Sequence, residues 1–273
     1  MGQSLGNQIR YCARHQRTRH LHRAWHTPLS PEHIALAAAI LLAAYFIRGI
    51  TGFGSGLISV PLLALFLPLT FVVPVVLLLD FTASLVIGGF NLQHVRWREV
   101  LLLLVPSVIG VIIGTHLLVN LPQTPLLIAL AIFVLLFALR SLLNLQGNKS
   151  ISQLWAVPAA LTGGTVGGLF GTGGPPYVIY LSHRVQDKSD LRATLSAVFF
   201  IEGLIRIITF VVAGLLVSRE VWVAYFAGLP IVLGVLYLGS RVHHGLSAAQ
   251  MTRLVSGLLL VASLSLLFKA LRS

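Results

Sequence analysis

Between Leu154 and Ser182 the chain carries no charged side chain, and windows of about twenty residues with few or no charges recur along most of its length. A window of that kind, wound as a helix, spans the roughly 30 Å hydrocarbon core of a bilayer. The pattern restricts the chain to an all-α, polytopic membrane protein. Composition agrees: of 273 residues, 56% are hydrophobic and 10% charged, against about 25% charged in an ordinary soluble domain. The polar stretches are all short, which leaves no room for a separate soluble domain. The single Cys12 excludes an internal disulfide and any cysteine-based metal site.

Apolar segments run over 34–50, 54–67, 70–90, 99–118, 125–143, 153–170, 174–182, 192–217, 221–239 and 251–271. Six or seven are long enough to span; the others are too short alone. A single helix over 34–68 would be roughly 50 Å long, too long for a membrane. Gly52, Gly54 and Gly56 lie near its middle and Pro61 follows. Both residue types disfavour a helix interior, so the stretch reads as a broken or re-entrant helix bent at Gly52–Gly56. Residues 153–182 have the same anatomy, with a bend at Gly171–Pro176.

The two bends look like copies. Phe53-Gly54-Ser55-Gly56 matches Phe170-Gly171-Thr172-Gly173 at an offset of 117 residues. Pro106, Gly110 and Gly114 have a counterpart in Pro230, Gly234 and Gly239, and Arg98-Glu99-Val100 echoes Arg219-Glu220-Val221. These ordered matches divide the chain into a basic tail (1–31, expected disordered), a first transmembrane repeat (34–144) and a second (153–271). Each repeat holds one Gly-rich interruption. Paired interruptions in corresponding positions point to a transporter's binding site.

A broken helix exposes backbone N–H groups at the start of its second half, where the helix dipole favours negative charge. Glycine lets a ligand approach the backbone, and Ser55 or Thr172 adds a hydroxyl. Pro175 and Pro176 suit the first turn of a new helix. Gly54, Ser55 and Gly56 with Gly171, Thr172, Gly173 and Gly174 therefore form a two-sided cradle for a small anion. Close helix packing through small residues is the competing explanation, and it is preferred for Pro106-x3-Gly110-x3-Gly114. Neither bend is a nucleotide motif, so no cofactor is expected. No catalytic grouping is visible, and the histidines show no metal-ligand spacing. An enzyme is not expected.

Charges inside the apolar segments are few. Arg48 precedes the first bend, and Asp80 lies mid-way along the third segment. Glu202 and Arg206 share a helix face at i, i+4, and Arg192 opens their segment. Glu202–Arg206 reads equally as a neutralising pair or a functional one. Asp80 carries a coupling proton, pairs with Arg48 or sits where water reaches it. Asp80, Glu202, Arg206 and Arg48 are the candidates for ion coupling or pairing. Arg192 alone reads as a residue whose charge reaches the membrane surface.

The net charge of +12 gathers partly in the tail, where Arg10, Arg14, Arg17, Arg19 and Arg23 precede the first acid, Glu32. The positive-inside rule keeps such a tail cytoplasmic, against anionic lipid. A nucleic-acid partner is not expected. An organelle transit peptide or an over-extended start is the other reading of this tail.

GITGFGSGLISVPLL (49–63), PSVIGVIIGTHLL (106–118), GGLFGTGGPPYVIYL (167–181) and LRATLSAVFF (191–200) together resemble the sulfite exporter TauE/SafE family of membrane permeases. The likeness covers nearly everything after the tail. It implies a two-repeat helical transporter in the inner (plasma) membrane that moves small anions such as sulfite or sulfonates. It also implies a role for both Gly-rich segments and for Arg192 in Arg192-Ala193-Thr194, now as an anion contact. One departure is that Leu57 follows Gly56 where Gly174 follows Gly173, leaving the first cradle less open and a symmetric site in question. An anion channel and a non-transport membrane assembly protein are the alternatives. The expected partners are a small anionic substrate, membrane lipid and a coupling proton.

Overall fold

A computed structural model describes residues 30–51, 54–87, 92–142, 151–241 and 248–272. Nearly all of the basic tail, Gly52, Phe53, Asn91, His243 and His244 lie outside the described residues. Among those described there is no strand. The helices are α1 (Pro31–Thr51), α2 (Ser55–Leu63), α3 (Leu69–Ile87), α4 (Trp97–Asn120), α5 (Gln123–Leu142), α6 (Ala156–Phe170), α7 (Gly174–Arg184), α8 (Lys188–Val212), α9 (Arg219–Arg241) and α10 (Ala248–Arg272). Six of them, α1, α3, α4, α5, α8 and α9, are long and apolar enough to cross a membrane.

Local chemistry explains the helix ends. Ser30 Oγ accepts the His33 N–H at 3.4 Å, and Pro31 and Glu32 fill the first turn of α1. Asp187 caps α8 by accepting from Ser189 and Asp190 N–H, each at 2.9 Å. α8 stops at Val212, short of the apolar run expected to reach 217, because Gly214 adopts a positive φ of 78° and turns the chain. The segment expected over 153–170 opens with a 3-10 turn, Gln153–Trp155, whose Leu154 N–H bonds Ser152 Oγ.

Residues 38–273 form one compact unit. Within it the two halves interleave. α4, from the first half, lies along α6, from the second, and α9 lies along α1 and α3; α10 packs on α5 and α2. Glycine permits the closest of these crossings. A Cβ on Gly164 would overlap the Ser107 carbonyl, one on Gly110 the Leu161 carbonyl, and one on Gly114 the Thr165 carbonyl. A Cβ on Gly239 would stand 2.8 Å from the Phe46 carbonyl, across α1. Pro106-x3-Gly110-x3-Gly114 is thus a packing face, as its spacing suggested. Without water, close backbone packing drives helix association in lipid. Gly164→Val is expected to destabilise the fold by about 2 kcal/mol through overpacking. Thermal unfolding in detergent should show it as a midpoint lowered by about 5 °C.

Candidate functional site: two helix breaks that meet

The first interruption separates α1 from α2. Gly54 holds φ 95°, a left-handed conformation natural to glycine, and starts α2 without a side-chain cap. α2's first-turn amides therefore need an external acceptor. Asp80, from α3, lies there: a Cβ on Gly56 would stand 3.3 Å from its Oδ2. Asp80 Oδ1 accepts from Tyr45 OH at 2.7 Å and Ser55 Oγ at 2.6 Å, and pairs with Arg48 Nη1 at 2.7 Å. Arg48 also donates to Ser55 Oγ (2.8 Å), to Ser84 Oγ (2.7 Å) and to the Asp80 carbonyl (3.1 Å). Of the three readings open for Asp80, the structure displays the pair with Arg48. At the first break the chain's own aspartate thus meets the arginine and both hydroxyls.

The second interruption separates α6 from α7. Gly171 ends α6 with φ 70°, and its N–H bonds the Gly167 carbonyl at 2.8 Å. Gly174-Pro175-Pro176 then begins α7. Neither proline has an N–H to leave unsatisfied. Here the acid comes from α8. Glu202 Oε1 lies where a Cβ on Gly167 would be, and 2.8 Å from where one on Gly173 would be. Arg206 Nε is 3.8 Å from Glu202 Oε1, too far for a hydrogen bond, and Arg206 Nη1 reaches the Gly167 carbonyl only at 3.5 Å.

The two breaks face each other. A Cβ on Gly56 would stand 3.1 Å from the Gly171 carbonyl and 3.4 Å from Thr172 Cγ2. Arg206 Nη1 lies 4.0 Å from the Cβ position of Gly171. Gly54, Ser55, Gly56, Gly171, Thr172, Gly173, Arg48, Asp80, Glu202 and Arg206 thus belong to one neighbourhood, and Gly174 opens the helix beside it. Arg192 does not join them. It is exposed near the start of α8, ten residues or about 15 Å along the helix from Glu202.

The breaks differ in how far their polar groups are satisfied. Around the second, Thr172 Oγ1, Glu202 Oε1 and Arg206 Nε are all buried without a hydrogen-bond partner among the described residues. Their residues are 4%, 2% and 8% exposed. Buried polar atoms without partners are costly and uncommon, so the second break is the less satisfied of the two. Around the first, Arg48 Nε alone is left.

Sequence reasoning missed the residues that frame these centres. Tyr45 ties α1 to Asp80. Tyr177, from α7, shares a 2.7 Å hydrogen bond with Ser107 of α4 beside Glu202. Tyr45 stands one helical turn before Arg48, a spacing that places both on one face and was the available signal. At the far ends of α4, α7 and α8, Glu99 accepts from Tyr180 OH (2.5 Å) and Arg184 Nη2 (3.0 Å), and Arg96 pairs with Asp190 at 2.6 Å. These pairs tie α4 to α7 and the segment before α4 to α8.

A family model described as sulfite exporter TauE/SafE matches residues 36–266. The chain is 29% identical over 194 residues to the "Probable inner membrane transporter protein TsaS" of Comamonas testosteroni, covering 70% of this chain and 80% of that one. It is 27% identical over 241 residues to the "Probable sulfite/organosulfonate exporter TauE" of Cupriavidus necator, covering 85% and 93% respectively. No solved structure matches.

Proposed function

Starting from the chain's membership of the sulfite exporter TauE/SafE family of membrane transporters, we propose that it carries small oxyanions, sulfite or organosulfonates, across a bacterial inner membrane. The N-terminal tail lies on the cytoplasmic side. The substrate docks at the second break, against Thr172 Oγ1, Arg206 Nε and the amides of Gly173 and Gly174. Gly171 lets it approach the backbone, and the first break, with Gly54, Ser55 and Gly56 closed over Asp80, forms the opposite wall. The site's cation is Arg206, while Arg192 serves anions arriving at the end of α8. Alternating exposure comes from one repeat rocking against the other.

The observation that carries this reading is the pair of unpartnered buried donors, the Thr172 hydroxyl and Arg206 Nε–H, beside a helix start. The guanidinium N–H can only donate and the hydroxyl can donate beside it, so together they suit an oxyanion. The relatives, named as a probable inner membrane transporter and a probable sulfite/organosulfonate exporter, agree with it.

Thr172→Val tests it. The exchange removes a hydroxyl that the fold leaves unsatisfied, so stability should hold or rise slightly. A hydrogen bond to a charged group is worth about 1.5–3 kcal/mol, so flux of labelled sulfite and ethanesulfonate into proteoliposomes should drop about tenfold to a hundredfold. Wild-type counterflow, in which internal unlabelled anion accelerates uptake of label, marks a carrier and not an open pore. Full flux in the variant would remove Thr172 from the site. Gly173 is unsuited to such a test, because a Cβ there would strike the Gly163 carbonyl and report only packing.

A further inference from the structure

Four charged side chains stand around the meeting point of the breaks: Arg48 and Asp80 at the first, Arg206 and Glu202 at the second. With both acids ionised their sum is zero. A monovalent anion bound among them leaves an unbalanced negative charge in surroundings that screen it poorly. Uptake of one proton by one of the two carboxylates restores neutrality.

The geometry selects which. Asp80 Oδ1 is held by a tyrosine hydroxyl, a serine hydroxyl and a guanidinium, all within 2.7 Å. A proton on that oxygen would set itself against donors already in place. Glu202 Oε1 accepts no hydrogen bond among the described residues and meets its guanidinium only at 3.8 Å. The groups facing Glu202 from the packed elements are few. Arg206 faces it from its own helix, Tyr177 from α7, and Ser107, whose hydroxyl is shared with Tyr177, lines the same cavity from α4. From α6 it meets the Gly167 backbone. From α3, Asp80 lies beyond Gly56 and Thr172 and is already neutralised by Arg48.

We propose that Glu202 and the transported anion compete for the Arg206 guanidinium, so that each monovalent anion crosses together with one proton carried on Glu202. This rests on the anion-carrier reading above and adds the coupling to it. Without substrate, Arg206 neutralises the Glu202 carboxylate. When the anion arrives it takes the guanidinium, and Glu202 accepts a proton from the aqueous phase on the same side. After reorientation the anion leaves, the proton follows, and the guanidinium returns to the carboxylate. Net charge at the site is zero at both ends of the cycle, so transport of a monovalent anion is electroneutral.

The experiment uses full-length protein in liposomes containing a trapped pH-sensitive dye. The probe is labelled ethanesulfonate, which has no proton of its own to exchange near neutral pH, with sulfite in parallel. The expected result is acidification of the interior at one proton per ethanesulfonate, with a rate that rises as external pH falls and ignores an imposed membrane potential. In Glu202→Gln the dye response should vanish and residual flux should follow the potential. Ethanesulfonate entering wild-type vesicles with a silent dye overturns the coupling and leaves the carrier reading intact. So does a one-to-one ratio that survives in Glu202→Gln. If neither probe moves in the wild type, the carrier reading falls and the coupling falls with it. Should the amide variant fail to insert, Glu202→Asp keeps a titrating group and is expected to hold the one-to-one ratio at a lower rate. A lost ratio in that variant also overturns the proposal.

Discussion

Arg206→Gln is expected to abolish anion flux and to reduce the yield of folded protein, and adding Glu202→Gln should restore the yield without restoring the flux. The single change leaves the Glu202 carboxylate, 2% exposed, without its ionic partner. Breaking a buried pair from one side costs about 3–5 kcal/mol. That is a large part of the 5–15 kcal/mol that separates folded from unfolded states in a typical domain. The double variant removes the uncompensated buried charge, which is the main source of that cost. Flux answers to a different quantity. The anion needs the guanidinium, and no amide replaces a charged donor.

The comparison separates the two readings of the Glu202–Arg206 pair that spacing alone left equal. A pair that only makes α8 insertable predicts that yield and flux recover together in the double variant. A pair that works in transport predicts that only yield recovers. Monodispersity in detergent measures the first and proteoliposome uptake the second. The coupling between the two substitutions, taken as a double-mutant cycle, should be large for stability, while flux stays lost in the double variant. Recovery of flux in the double variant would assign the pair to folding.

The helices were legible because the bilayer imposes one length and one composition on any span, and those survive in a single sequence. The breaks were legible for a related reason: Gly54 and Gly171 sit where a continuous helix would be natural, and their positive φ values explain why the chain puts glycine there. The partners of the charges were not legible. Asp80 reaches Arg48 and Tyr45 across more than thirty residues of chain, and nothing periodic links those positions. Spacing placed Glu202 and Arg206 on one face but did not reveal that Oε1 would lie against Gly167 and Gly173, since that contact depends on how α6 and α7 meet α8. The interleaving of the halves was hidden for the same reason. Gly110 and Gly164 each announce a close approach, but small residues do not say which helix they approach. For Arg192 the role as an anion contact came from the family resemblance and not from segment position. It opens an apolar segment, and α8 places it at an exposed end away from the breaks.

Asp80→Ala is expected to be among the most damaging single substitutions in the chain, and a small carboxylate in the buffer should partly reverse it. The side chain accepts from Tyr45 and Ser55, balances Arg48 and lies at the start of α2. Its removal leaves the Arg48 guanidinium, itself 8% exposed, without a counter-charge and costs about 3–5 kcal/mol. It also opens a seat with an arginine, two hydroxyls and the first amides of a helix around it, an arrangement that favours any small anion. Formate matches the carboxylate that was lost. Present at a hundred times its dissociation constant, a ligand of the folded state returns about 2.7 kcal/mol, which is most of the loss. Thermal unfolding of Asp80→Ala in detergent should therefore show a midpoint that climbs with formate, while the wild type, whose own Asp80 fills the seat, stays flat. Arg48→Met combined with Asp80→Ala removes the attraction and should abolish the response. If formate raises the wild type as much as the variant, the first break is not closed by its own aspartate. The substrate would then contact both breaks, and the division of labour between Asp80 and Glu202 would have to be redrawn.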